Sequence, residues 1–592
     1  MKKTAITFLI SGMLFAAGLK AQTIQEGVNH LYAGRVKSAS AVFDKLLAVN
    51  PTNIDAIYWQ GQVFLDDEEI RSSRLANARA WYEKGIQATN GAPLLQVGLG
   101  HIELLEGKVN EARQHFETAL TLTRGKKGDD PIIETVIGRA ISDAKNADYD
   151  YAVRLLEDAA NKDPKNTMTL LELGNAYRKA GKGNGGGAAF ASYKKALEAD
   201  PNFAAASYRL GMLFTSQKNE DLTLEYMNQA VAKDPKFTKA YYELFYFYFY
   251  RLKFAEAEDQ LKKYIDSKAP DTDPQDQFLY AQLCYAKKDF DCAIAKGEAV
   301  VAVTGANTKP KVYRLLAHAY FDKGDFQNAR KNSDLFFAKK NPDEYMLPDY
   351  EVRALALAKL GSVPDDVVKA YLEGIGVDTT VEAKLGYLKK GAAYFKEQKL
   401  PEKQAVVLAK ILDLKPKPII NDYFDLTLAY YFSGAYDSAR NRSIQMKEKF
   451  PDQVYGYQWA FNSAIAVDTV KQDSIAVPDA LVLYEFAEKD TSKFKSQYIS
   501  AVKFLAAYYI NKAKDKEKSL DFFRKWQAAD VNNEAAIQTY IDQIEKMPAG
   551  KPGSKPANNS KGTGQTSTLK SPKPAVIAKS KTTLQPKAPA KG

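Results

Sequence analysis

A glycine-rich hexapeptide is the segment of this 592-residue chain that most resembles a cofactor-binding loop. Residues 181–186 read GKGNGG, which satisfies the GxGxxG pattern of dinucleotide-binding turns. Such a turn follows a β-strand and begins a helix. Here the pattern follows a predicted helix and falls where two predicted helices must be joined. We therefore expect a lengthened interhelical turn and no bound cofactor.

The four histidines are the second group of residues that could do chemistry. His30, His101, His115 and His318 are scattered, without the nearby Cys, His or acidic partners that a metal site requires. The sequence contains no HExxH, GxSxG or P-loop motif. It therefore predicts a non-enzymatic protein without a bound metal. The alternative is an enzyme hidden in the irregular region 342–415.

Cys284 and Cys292 are the only two cysteines, and an isolated pair in an exported chain favours a disulfide. Helical register argues against the bond, because it places Cys284 on a buried face and Cys292 beside the packing residue Ala293. The two side chains would then diverge. A disulfide and two buried or half-buried free thiols both remain possible on the sequence.

An aromatic run is the most unusual candidate for a binding surface. Residues 241–250 read YYELFYFYFY, with aromatic rings at eight of ten positions. If Tyr241, Leu244, Phe245 and Tyr248 form the core face, the other rings face outward or pack on neighbouring helices. Outward tyrosines would offer a large contact area and hydroxyls that bond peptide backbone or sugar.

The net charge of +11 first suggests a nucleic-acid partner, but its distribution excludes one. Lys2, Lys3 and Lys20 lie in the first 21 residues, and nine lysines with no acid lie in residues 549–592. The region between is electroneutral, and its composition is that of a globular protein.

The two ends of the chain are predicted to be non-globular. Residues 1–21 have the charged start, apolar run and small closing residue of a secretory signal peptide, with a retained anchor as the alternative. The mature chain is expected to lack a transmembrane segment and to reside in the periplasm or at the cell envelope. Residues 549–592 are expected to form a disordered Lys/Pro/Ala-rich tail, either solvated or in contact with an anionic polymer.

The region between the two ends shows the periodicity of paired helices. Turn signals at Asp163-Pro164, Asp200-Pro201 and Asp234-Pro235 are separated by 37 and 34 residues, the spacing of helical hairpins. The clearest unit carries small and aromatic residues at fixed offsets, namely Leu170, Leu173, Gly174, Tyr177, Gly181, Ala189, Tyr193, Ala196 and Pro201. This pattern resembles the tetratricopeptide repeat.

The resemblance implies an all-α, right-handed α-solenoid of about fourteen stacked hairpins with a C-terminal capping helix. We expect an N-terminal array at 22–341 and a C-terminal array with the cap at 342–548, divided near Asn341-Pro342. In residues 350–415 the small residues do not fall at the positions that the repeat pattern requires, and an ordinary packed helical domain is the alternative there.

The resemblance also implies that repeat positions 2, 5, 9, 12 and 13 face an inner groove. A clamp for a C-terminal carboxylate is not expected, because Leu171 replaces the family's Lys although Asn175 is present. The groove positions in hairpins six to nine are Tyr208, Met212, Lys239, Tyr242, Tyr246, Phe249, Tyr250, Phe278, Gln282, Tyr285, Arg314, His318 and Phe321.

These features together predict a protein–protein interaction scaffold of a bacterial cell envelope. Partner proteins or peptides of an envelope assembly would bind in the concave groove. The alternative is a cell-wall or surface-polysaccharide binding protein that uses the groove aromatics and the basic tail.

Overall fold

The computed structural model describes residues 23–67, 73–181, 185–339, 345–377, 379–468 and 474–548. The predicted signal peptide at 1–21 and the predicted tail at 549–592 lie outside the described residues. Within these ranges the chain is all-α, and its extended pairing is limited to an isolated bridge between Gly125 and Gly128.

The chain divides into two compact units, the first ending at Gly324 and the second beginning at Asp325. The predicted division at Asn341-Pro342 lies outside the described residues. The first unit contains the helices α1 (Ile24–Ala33), α2 (Val36–Val49), α3 (Ile54–Asp66), α4 (Arg74–Ala88), α5 (Pro93–Leu105), α6 (Val109–Thr123), α7 (Pro131–Asp143), α8 (Tyr149–Lys162), α9 (Thr167–Ala180), α10 (Gly185–Ala199), α11 (Ala204–Ser216), α12 (Glu220–Lys233), α13 (Thr238–Phe249), α14 (Phe254–Lys268), α15 (Phe278–Ala286), α16 (Phe290–Thr304) and α17 (Pro310–Lys323).

The second unit continues the same alternation of helices. It contains α18 (Phe326–Ala338), α19 (Leu347–Lys359), α20 (Pro364–Gly374), α21 (Val381–Glu397), α22 (Pro401–Leu414), α23 (Ile420–Phe432), α24 (Tyr436–Lys449), α25 (Val454–Val467), α26 (Val477–Glu488), α27 (Lys495–Tyr508), α28 (Lys516–Ala529) and α29 (Glu534–Glu545). Counted in pairs along the chain and numbered as hairpins in that order, the described helices amount to fourteen pairs and a final helix. The predicted α-solenoid of about fourteen hairpins is confirmed.

Glycines where paired helices touch explain why the repeat pattern needs small residues. A Cβ atom added to Gly174 of α9 would lie 2.3 Å from the ring of Tyr193 on α10. At Gly61 of α3 it would lie 2.1 Å from the ring of Tyr82 on α4. Both rings are fully buried, so each of these two hairpins closes around an aromatic side chain that only a glycine opposite can admit.

The GKGNGG segment joins two helices, as expected. Gly181 ends α9 in the left-handed region at φ +61°, and Gly185 begins α10. The intervening residues 182–184 lie outside the described part of the chain.

The two cysteines form a disulfide, with 5.7 Å between their Cα atoms. The expectation that their side chains diverge is wrong. Cys284 lies in the last turn of α15 and Cys292 in the first turn of α16. The short connection brings these two turns side by side, which a register argument within each helix alone does not take into account.

The final helix covers the open end of the second unit. Ile537, Ile541 and Ile544 of α29 are buried in one hydrophobic cluster with Phe523 and Trp526 of α28. The outer face of α29 is exposed to solvent, which confirms the predicted capping helix.

Candidate binding site

The first hairpin packs against the seventh, so the first unit closes on itself. The Thr238 Oγ1 atom of α13 donates to the Ala33 carbonyl at the end of α1 at 2.6 Å. Lys239 Nζ donates to the Leu31 carbonyl at 3.2 Å. Ala33 is buried in the same hydrophobic cluster as Tyr208 of α11. The end of α1 is therefore part of the core of hairpins five to seven.

A glycine allows this close contact. Gly34 follows α1 with φ +84°, a conformation that L side chains rarely adopt. A Cβ atom at Gly34 would also lie 2.9 Å from Thr238 Oγ1. The position needs glycine both for its backbone conformation and for the approach of α13.

A buried aspartate from the turn after α14 completes the closure. Asp271 is 6% exposed and accepts hydrogen bonds from Ser38 N at 2.9 Å and Ser38 Oγ at 2.5 Å. Ser38 lies in the first turn of α2, whose own N-cap residue, Arg35, makes no side-chain capping bond. Asp271 thus caps α2 from 233 residues away. Arg35 itself lies 3.6 Å from Asp234.

The inner positions of several hairpins contact one another in the interior of the first unit. Tyr32 donates to Glu172 at 2.9 Å, and Arg139 donates to Gln62 at 2.5 Å. Arg139 also lies 3.8 Å from Glu172 and stacks over Trp59 at 5.2 Å. Burial, together with the Glu172 carboxylate, raises the pKa of Tyr32 well above its ordinary value. The polar groups of these side chains are therefore paired with one another and do not face an open groove.

A cavity of about 420 Å³ remains at the joint between the first and seventh hairpins. The turn after α1 and the end of α3 form one wall, and α11, α13, α14 and the turn after α14 form the other. Its lining is rich in charged and tyrosine side chains, including Lys37, Asp66, Asp67, Tyr208, Lys239, Tyr242, Glu243, Tyr264, Lys268, Asp271 and Asp273.

Three tyrosines one helical turn apart form a ladder along α13. The ring centroids of Tyr242 and Tyr246 are 4.9 Å apart, and those of Tyr246 and Tyr250 are 5.5 Å apart and stacked. Tyr246 donates to Gln282 of α15 at 3.2 Å, which fixes the middle ring. The outer rings are solvent-accessible, with Tyr242 36% and Tyr250 73% exposed.

A smaller cavity of about 180 Å³ lies at the far end of this tyrosine ladder. Tyr246, Phe247, Tyr250, Lys218 and Met227 contribute to its walls. The ladder therefore connects two concave surfaces of the first unit.

A family model described as tetratricopeptide repeat matches residues 24–93, 137–202 and 182–236. These three segments are similar to tetratricopeptide repeats. The matched segments include the hairpins around Gly61, Gly174 and Gly211, where the small-residue pattern is clearest.

Several solved structures are similar to this chain. The C-terminal part of a TPR repeat-containing protein from Cytophaga hutchinsonii has 23% identity and a TM-score of 0.25, covering 44% of this chain and 98% of that one. A tetratricopeptide repeat protein from Parabacteroides merdae has 18% identity and a TM-score of 0.32, covering 41% and 91%. The human IFIT1 dimer with m7Gppp-AAAA has 14% identity and a TM-score of 0.38, covering 72% and 96%.

All of the predicted groove residues except Phe278 fall into three environments. Tyr208, Lys239 and Tyr242 line the larger cavity, whereas Tyr246 and Tyr250 line the smaller one. Half-buried positions outside both linings are Met212, Phe249, Gln282, Tyr285, Arg314, His318 and Phe321.

Phe278 corrects the expected inner surface. It is 4% exposed and packs with Ala281 and Val312 in a hydrophobic cluster, so it does not line a groove. A short 3₁₀ turn directly precedes α15 and leaves Phe278 as its first residue, which changes the register assumed from the repeat pattern.

Several residues of the larger cavity were missed by the sequence reasoning. Glu243, Lys268 and Asp271 belong to hairpin seven and the turn after it, and closure of the first unit brings Asp66, at the end of α3, to the same cavity. No local motif predicts such an arrangement, because residues that meet in the closure, such as Ser38 and Asp271, lie 233 residues apart in the sequence.

Two properties of the described residues bear on function. No group of three or more His, Cys, Asp or Glu side chains there is arranged to hold a metal ion. None of the helices in those ranges is long and apolar enough to cross a membrane.

Proposed function

We propose that this protein is a non-enzymatic scaffold that binds a partner polypeptide at the tyrosine ladder of hairpin seven. Tetratricopeptide repeats generally mediate protein–protein interactions. The observation that carries the proposal is the accessible ladder Tyr242–Tyr246–Tyr250, which is continuous with a cavity at each end. Rigid exposed tyrosines supply contact area at little conformational cost, as protein-binding hot spots do.

The cellular setting is part of the same proposal. The sequence of residues 1–21 supports export, and we infer that the mature chain acts in an envelope assembly of a bacterium. The basic composition of residues 549–592 supports a second, weaker contact with an anionic polymer.

Site-specific photo-crosslinking in the producing cells tests the proposal. A photoreactive phenylalanine derivative replaces Tyr250 in the full chain, and another replaces Phe432 of the second unit as a control. Phe432 is 67% exposed, close to the exposure of Tyr250, but it lies outside the ladder.

The expected result is a discrete protein adduct from position 250 that position 432 does not form. Adding Tyr242→Ala should abolish the adduct without reducing the amount of folded chain. A carbohydrate adduct from position 250 would instead support the polysaccharide-binding alternative. Equal labelling at both positions would refute a specific surface at the ladder.

A further inference from the structure

The larger cavity has fixed walls and the size of a ligand site. Its volume of about 420 Å³ falls within the roughly 300–1,000 Å³ of small-ligand pockets. The bonds from Thr238, Lys239 and Asp271 to the first hairpin hold the two walls together. The cavity is therefore formed before any ligand arrives.

The charges in the cavity favour a positively charged ligand. Its lining includes five carboxylates and three lysines. Lys268 forms an ion pair with Asp276 at 2.5 Å, and Lys239 donates to a backbone carbonyl at 3.2 Å. Burial also lowers the pKa of Lys239. The lining therefore carries two more carboxylates than ammonium groups.

Glu243 is the carboxylate best placed to receive a cation. It is half-buried on α13, between Tyr242 and Leu244, and burial raises its pKa above the ordinary value. Among the described residues, no hydrogen bond or ion pair holds its carboxylate. Burying such a group without a partner costs free energy, which a cationic ligand would recover.

The tyrosine walls provide a second attraction for a cation. The rings of Tyr242 and Tyr264 are 5.5 Å apart at the cavity wall. The ammonium of Lys268 already lies 5.4 Å from the Tyr264 ring centroid, which places a cation–π contact in this wall. Tyr208 contributes a third ring.

From these observations we infer that the cavity binds the cationic side chain of a lysine or arginine in the partner polypeptide. The ammonium or guanidinium group lies against Glu243 and the tyrosine rings, next to the tyrosine ladder. The inference rests on the proposed function for the source of this side chain, and it adds the chemistry by which the partner is recognised.

A short peptide pair tests the inference on the full chain. Isothermal titration calorimetry at 0.15 M salt compares acetyl-Gly-Lys-Gly-amide with the same peptide carrying Nε-acetyl-lysine. Acetylation removes the charge and keeps the length. We expect the charged peptide to bind and the acetylated peptide to bind at least fivefold more weakly.

Matched variants locate the site. Glu243→Gln should weaken binding of the lysine peptide by about fivefold, the size of one cation–π or exposed ionic contact. Glu256→Gln makes the same charge change at an exposed position of the neighbouring helix α14 and should leave binding unchanged. Tyr242→Leu removes a wall ring and should also weaken binding. Circular dichroism melts confirm that each variant is folded.

The outcomes separate this inference from the proposed function. Equal affinity for both peptides, no binding of either, or equal effects of Glu243→Gln and Glu256→Gln would overturn the cation site. A missing adduct at position 250 with intact lysine-peptide binding would overturn the polypeptide scaffold but not the cavity's preference for cations.

Discussion

Replacing Asp271 with alanine should release the first hairpin while the rest of the first unit stays folded. The Asp271 carboxylate is the only side chain seen to cap α2 among the described residues. Its loss would leave the Ser38 backbone N–H and hydroxyl without their acceptor. It would also remove a negative charge near Arg35.

The expected loss of stability follows from the two hydrogen bonds that Asp271 accepts from Ser38. Each bond to a charged acceptor contributes about 1.5–3 kcal/mol. Ser38 is only half-buried, so water replaces part of what is lost. We therefore expect the free energy for opening hairpin one to fall by about 2 kcal/mol, which corresponds to about 30-fold faster exchange of its amides.

Native-state hydrogen exchange with mass spectrometry measures this change. Peptides from α1 and α2 should exchange about 30-fold faster in Asp271→Ala, whereas peptides from α5 and α6 should keep their rates. Asp259→Ala is the control, because Asp259 makes an exposed pair with Lys263 on α14. That pair contributes less than about 1 kcal/mol.

Two results would refute the reasoning. Unchanged exchange in α1 and α2 would mean that Asp271 does not hold the closure. Equal acceleration throughout the first unit would mean that hairpin one unfolds only together with its neighbours, so that no separate closing element exists.

Two further predictions concern pH and packing. Burial, followed by the nearby Arg35, lowers the pKa of His30 on α1, so the unfolded state binds its proton more readily. The closure should therefore be fully stable above about pH 6.5 and weaken as the pH falls below it, and His30→Gln should remove this dependence in exchange rates measured down to about pH 5. Gly174→Ala should lower the free energy of unfolding by about 1–3 kcal/mol in denaturant titrations, because the new methyl overlaps the Tyr193 ring. Gly186→Ala is its control and should be neutral or stabilising, because Gln217 Nε2, at 3.7 Å, is the nearest described atom to the added carbon beyond its own helix.

The repeat architecture could be predicted from the sequence because its determinants are local. Gly174 and Tyr193 lie 19 residues apart and meet within a single hairpin. Comparable contacts between a glycine and a large side chain recur at separations of 16 to 21 residues in other hairpins, so the small-residue pattern reveals both the helix pair and its packing residues. The capping isoleucines of α29 could be predicted for the same reason, because the spacing of residues within a single helix determines which side chains share a face.

The candidate site could be predicted only in part. The tyrosines of α13 stood out because ten residues carry too many rings for one core face. Of the carboxylates that share the cavity with them, Glu243 lies on the same helix and Asp271 and Asp273 follow α14. The distant carboxylates are Asp66 and Asp67, at the end of α3. Their position depends on how far successive repeats rotate, and small rotations summed over seven hairpins are not encoded in any local pattern.

The closure also determines where a partner can bind. In an open solenoid the inner positions of the first helices are available to a ligand. Here Gln62, Arg139, Glu172 and Tyr32 bond to one another in the interior. Separating one partner from a buried charged group costs about 3–5 kcal/mol, which a typical peptide contact does not recover. Binding is therefore favoured at the joint, where no described residue bonds to the Glu243 carboxylate and the tyrosine ladder is exposed.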